Sequence, residues 1–157
     1  MSVIFADLAV GDTLPELRLT ISATQIVAGA LASRDYSPLH HDHNYARETA
    51  KQRDIFANTQ FQAALFERYL QDWAGPMCRT ARMKFLMINS IFPASDLTIR
   101  GKIAKLGSEE CGPAATIEIE ARVEDLVATA CTVLLALPAD TGDNPWSRTG
   151  TNWLRRG

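Results

Sequence analysis

The chain is poor in the residues that build covalent or metal-bound frameworks. Its three cysteines, Cys78, Cys111 and Cys131, are odd in number and widely spaced, with no Cys-x-x-Cys pair. That pattern excludes a disulfide framework or a thiolate zinc site and predicts reduced core thiols in a cytoplasmic protein. Histidine is equally scarce, and His40, His41 and His43 all fall in one short segment. His41-Asp42 superficially suggests a metal phosphohydrolase, but that class needs further histidine ligands elsewhere, so no metal is expected. No apolar run approaches the ~20 residues that span a bilayer, and the N-terminus shows no signal-peptide pattern, so no membrane is expected. A formal net charge of −2 without a Lys/Arg cluster gives no basis for nucleic-acid binding. Internal repeats and low-complexity segments are absent as well.

What remains is an ordinary globular composition. At 157 residues and 46% hydrophobic content the chain is most simply one domain, long enough to bury a real core. The alternation of Leu17, Leu19 and Ile21 predicts a strand. Ser22 is a plausible N-cap for a helix over 23–33, and Asp42 for a short helix over 43–51. A long central helix is expected over 55–72, where Phe56, Thr59, Ala63, Phe66 and Leu70 lie near helical spacing. Ile55, Phe61, Ala64, Leu65 and Tyr69 widen its apolar surface, as in a helix surrounded by other structure. Gly75-Pro76 stops it. After this the period changes, and Met83–Met87, Asp96–Leu106, Ala114–Glu124 and Leu126–Leu137 read as strands, with a turn over 107–113. In the third of these, Ile117, Ile119, Ala121 and Val123 alternate with Glu118, Glu120, Arg122 and Glu124, as in an antiparallel strand with one wet face. One long apolar helix followed by antiparallel strands is an α+β pattern. Residues 138–157, with Trp146, Trp153 and Arg155-Arg156, read as an irregular tail whose tryptophans suggest docking on a surface, such as that of a neighbouring subunit.

The chemistry is concentrated in residues 30–46. Asp35 and His40 stand five positions apart across a bend stiffened by Pro38. An acid and an imidazole fixed this close can hold one water between them and move its protons. Taken singly, Asp35 would be a turn residue and His40 a loop histidine. His41 and His43 are expected at the surface, Asp42 as a cap and Arg34 as a solvated side chain.

The segment Ser33, Asp35, Pro38, Leu39, His40 and Ala46 resembles the hydratase-2 motif of MaoC-like hotdog-fold enoyl-CoA hydratases. Arg34 replaces the usual glycine and Ser37 the usual asparagine. Together with Ser33-Arg34-Asp35-Tyr36, His40-His41-Asp42, Asp54-Ile55-Phe56 and Asp72-Trp73-Ala74-Gly75-Pro76, it is similar to the small subunit of actinobacterial steroid side-chain hydratases. The resemblance implies a single hotdog domain over residues 1–137, a long central helix wrapped by a curved antiparallel sheet. It also implies hydration of a trans-2-enoyl-CoA to the (R)-3-hydroxyacyl-CoA, with Asp35 and His40 catalytic and no cofactor. Ser37, Phe56 and Asn58 are the implied substrate-binding residues. The segment from Phe56 to Thr59 occupies the place of an aliphatic–Ala–His–Gly sequence, and Asn58 aligns with the glycine whose N–H binds the thioester oxygen. The resemblance further implies a hetero-oligomer with a second MaoC-like subunit, or otherwise a homodimer. Two alternatives stay open: a hotdog acyl-CoA thioesterase, for which Glu67 is the acidic residue well inside the central helix, and a non-catalytic partner subunit.

Overall fold

The structure, a computed structural model, describes residues 2–148. Five strands form one antiparallel sheet: β1 (Thr13–Ile21), β2 (Arg79–Met87), β3 (Ser95–Glu109), β4 (Gly112–Val123) and β5 (Leu126–Ala136). Their order across the sheet is β1-β3-β4-β5-β2, so β1 and β2 are its edges. Register shifts interrupt each of the four pairings, the irregularities that bend a sheet and increase its twist. Helix α1 (Ala23–Ala32) follows β1, and the long helix α2 (Thr59–Ala74) precedes β2. The expected α+β architecture, one long helix against a curved antiparallel sheet, is therefore the one found.

The core lies between α2 and one face of the sheet. Phe66, Tyr69, Leu70 and Ala74 of α2 join Ile99 and Ile103 of β3, Ile117 and Ile119 of β4 and Val133 of β5 in one buried cluster. Phe66 also stacks on Phe85 of β2, with ring centroids 5.8 Å apart. On β4 the expected alternation holds: Ile117, Ile119 and Ala121 are buried while Glu118 and Glu120 are exposed. All three cysteines are buried free thiols, and burial pushes Cys78 and Cys131 up to about 12.

Local chemistry moved several boundaries. Helix α2 begins at Thr59, not at residue 55, because the chain before it is held extended: Phe56 N–H donates to Leu39 O and Ala57 N–H to Ile91 O. It ends at Ala74, with Gly75 at φ +80. Its buried stripe is Gln62, Phe66, Tyr69, Leu70 and Ala74, whereas Ala64 is exposed. The strands after it are longer than their apolar cores, since the ladder runs on through polar residues to Glu109↔Gly112 and leaves only Glu110 and Cys111 to turn. Ser22 caps α1 as expected, with a reciprocal bond from Gln25 that closes a capping box. Asp42 accepts a bond from Tyr45 N–H at the head of the short π-helical segment Tyr45–Thr49.

The described part of the tail docks on this same chain. Trp146 Nε1–H donates to Pro76 O at 3.1 Å, the Arg79 guanidinium lies over the Trp146 ring, and Arg148 binds Cys111 O, Leu137 O and the Asp143 carboxylate. Trp153 and Arg155-Arg156 lie outside the described residues. Among the described residues no helix is long and apolar enough to cross a membrane.

Candidate active site

Asp35 is placed by the way α1 ends. Arg34 N–H returns to Leu31 O and Asp35 N–H to Ala30 O, the paired bonds of a Schellman cap. Such a cap needs one left-handed residue, and here it is Arg34 at φ +56. This accounts for the glycine expected at that position, since an L-residue with a side chain held there costs about 1–2 kcal/mol. The side chain itself is exposed, as a solvated arginine should be. With its backbone pinned, Asp35 turns its carboxylate back toward the head of α2.

Pro38 starts a single 3-10 turn, Pro38–His40, and its preceding residue Ser37 is extended, as the proline ring demands. The turn lifts His40 into a buried position, 8% exposed. His40 Nδ1 lies 2.7 Å from Phe56 O. A peptide carbonyl can only accept, so Nδ1 carries the hydrogen and Nε2 is the free basic nitrogen of the neutral ring. The Phe56 ring meets the imidazole edge-on at 5.0 Å, fixing its plane. Nε2 then lies 3.4 Å from Asp35 Oδ2.

Asn58, the N-cap of α2, ties these parts together. Its Oδ1 accepts from Phe61 N–H, and its Nδ2 donates to Ser33 Oγ at 2.9 Å and to Asp35 Oδ2 at 3.0 Å. The Asn58 amide holds Asp35 below the usual carboxylate value, against partial burial that raises it; Ser37 N–H and, when they are protonated, the nearby His40 and His41 lower it further. Asp35 is thus ionised at neutral pH, an acceptor facing a second acceptor. A cavity of about 280 Å³ opens beside the pair, and Asp35, His40, Phe56 and Asn58 line it.

The sequence-predicted residues therefore converge, with one displaced. Asp35, His40, Phe56 and Asn58 share the cavity, whereas Ser37 is not among its lining residues and contributes its backbone N–H to Asp35 Oδ1 at 3.3 Å. His43 pairs with Asp54 on the surface and His41 is exposed. Sequence reasoning missed Gln62, 3% exposed on the wall of the same cavity. Its signal was there: a glutamine on the apolar stripe of α2, four residues after Asn58.

A long helix laid on a bent antiparallel sheet is the hotdog architecture, and here an Asp/His pair stands at the helix's head. Comparison with known proteins shows what the chain is similar to. Over 67 residues it is 46% identical to the 3-oxo-4,17-pregnadiene-20-carboxyl-CoA hydratase beta subunit of Mycobacterium tuberculosis. That match covers 43% of this chain and 51% of the relative, so it spans about half the relative's length. The ChsH1-ChsH2 complex from the same organism contains a chain that superposes with a TM-score of 0.75 at 29% identity, covering 82% of this chain and 98% of that one. The (R)-hydratase from A. caviae superposes with a TM-score of 0.74 at 22% identity, over 83% of this chain and 98% of that one, a likeness of fold. No protein-family model matches the chain. The resemblance to MaoC-like hydratases, and among them to a steroid side-chain hydratase subunit, is borne out by these relatives.

Proposed function

We propose that this chain is an enoyl-CoA hydratase subunit, adding water to a trans-2-enoyl-CoA to give the (R)-3-hydroxyacyl-CoA in steroid side-chain β-oxidation. The observation that carries the reading is the Asp35 Oδ2–His40 Nε2 distance of 3.4 Å, with both atoms acceptors on one cavity wall. A single water can donate one hydrogen to each. As its oxygen bonds to C3, the pair takes one proton and returns one to C2 from the same side, so the addition is syn and the groups end as they began. Charge builds on the thioester oxygen meanwhile, and the N–H of Asn58, for which the described residues supply no acceptor, is the donor assigned to it.

The substrate class draws support from the name of the M. tuberculosis relative and from the space available. A second recess of about 420 Å³ shares Ile88, Asn89 and Ser90 with the catalytic cavity and is walled by Phe92, Leu126 and Ala128. Its lining is mixed, with Arg53, Ser95 and Glu124 beside the apolar residues, and it has room for a bulky acyl group. A second MaoC-like subunit is the proposed partner, and a homodimer the fallback. Leu86, Met87 and Ile88 are exposed along or just beyond the edge strand β2, and an apolar edge is a surface for pairing. The division into a body of 1–137 and a tail of 138–157, and a cytoplasmic location, belong to the same proposal.

The three departures from the motif, on which the non-catalytic alternative rests, each have a use in the geometry: Arg34 adopts the left-handed cap, Ser37 N–H donates to Asp35, and the Asn58 side chain binds Asp35. The test is to mix the purified chain with a steroid side-chain enoyl-CoA, following loss of the conjugated absorbance and, in parallel, free thiol. The buried cysteines keep the protein's own signal low. Hydration without thiol release, lost in Asp35→Asn and in His40→Ala, is expected. Thiol release that survives both substitutions would contradict the proposal and favour a thioesterase.

A further inference from the structure

Two side-chain donors on the first turn of α2 share an unusual acceptor. Thr59 Oγ1–H points to Met87 Sδ at 3.3 Å, and Gln62 Nε2–H reaches the same sulfur at 3.8 Å. Spaced i and i+3, they lie on one face of the helix, and all three residues line the cavity that holds Asp35 and His40. The Gln62 amide cannot be turned over. Its Oε1 accepts the buried Thr129 hydroxyl, and its Nε2 donates one hydrogen to Ala57 O at 3.3 Å. The second hydrogen has, among the described residues, only the thioether, which is a weak acceptor. Met87 ends the edge strand β2 and is 54% exposed, so its flexible side chain can leave without disturbing the core.

We propose that the Thr59 hydroxyl and the Gln62 amide form a donor pair for the substrate's thioester oxygen, and that the Met87 sulfur covers the pair until substrate displaces it. This rests on the hydratase reading and extends it: with Asn58 N–H, the oxygen meets donors from one turn of one helix. Because the Gln62 donor is buried and already oriented, it needs no rearrangement as charge moves onto the oxygen.

The experiment uses the full chain in the assembly in which it turns over, with an enoyl-CoA carrying a ¹³C-labelled thioester carbonyl. In the His40→Ala background, where substrate binds without turnover, the bound carbonyl stretch falls to lower frequency than in free substrate. Thr59→Val and Gln62→Met each reduce that fall. In otherwise intact protein, Gln62→Met lowers kcat about a hundredfold and Thr59→Val about tenfold, with KM little changed. Thr59→Val is nearly isosteric at a half-buried position, so it reads the pair even where Gln62→Met fails to fold. A carbonyl frequency and kcat indifferent to Thr59→Val, alongside normal hydration, would overturn the donor pair and leave the hydratase reading standing. A frequency shift dependent on Thr59 and Gln62, alongside thiol release instead of hydration, would support the pair and overturn that reading.

Discussion

Two carboxylates that meet α2, Glu67 within the helix and Asp35 at its head, are treated in opposite ways. Midway along the helix, Glu67 has both oxygens engaged, one by the Thr80 hydroxyl at 2.7 Å and one by the Gln71 amide at 3.2 Å, and in the docked tail Arg148 finds three acceptors at once. At the head, Asp35 is held by one amide and one N–H, while His40 Nε2 and one Gln62 hydrogen face the cavity with weak partners or none beyond Asp35. Saturated polar groups hold a fold; under-satisfied ones, kept in place by neighbours that are themselves saturated, are available for chemistry. Glu67, the carboxylate a thioesterase would need, belongs to the first kind and does not line the cavity.

The largest effect should separate the two carboxylates directly. Asp35→Asn lowers the hydration rate about a thousandfold, within the range general acid–base groups supply, whereas Glu67→Gln leaves it at the wild-type level. Equal losses in both would break the comparison. At the structural end, Arg148→Ala removes charge-assisted bonds to two carbonyls and a carboxylate, and should cost about 2 kcal/mol in thermal or urea denaturation without altering turnover.

Asn58→Ala sits between the two kinds. It loses the cap on Phe61 N–H, worth about 1 kcal/mol of stability, and the bond that holds Asp35 down. Asp35 is lowered in the folded protein, so its contribution to stability is complete above the ordinary carboxylate value and disappears as pH falls through the lowered one. Raising Asp35 by Asn58→Ala should therefore shift the acid limb of the pH–rate profile to higher pH. A limb that stays in place would show that Asn58 acts as a cap alone. The smallest effect is a gain: Arg34→Gly relieves the left-handed strain at φ +56 and should stabilise by about 0.5 kcal/mol after the extra freedom of glycine in the unfolded chain is offset.

Much of this was legible in the residues. The Asp35-to-His40 spacing, the Ser22 cap, the Gly75-Pro76 stop and the β4 alternation are local signals, and each sits where local chemistry puts it. The start of α2 was not legible, because Ile55 and Phe56 are apolar enough to extend a helical pattern, while Leu39 O, Ile91 O and the His40 ring, all distant in sequence, hold that stretch extended. That Ser37 turns its backbone N–H to Asp35 and is not among the residues lining the cavity was not legible either, since spacing gives its neighbours in sequence but not the side of the bend it faces. The Gln62–Thr129 bond joins residues 67 positions apart, beyond the reach of any motif.

The central claim is that one water is held by Asp35 and His40 and that its hydroxyl and the C2 proton reach the same face of the alkene. Hydration of a trans-2-enoyl-CoA in D₂O, with the relative configuration of C2 and C3 in the product read by NMR coupling, tests it most directly. The account predicts a single 2-deuterio-3-hydroxyacyl diastereomer, from syn addition, with (R) configuration at C3. Anti addition, or a mixture of diastereomers, would mean that the C2 proton comes from another group, and would contradict it.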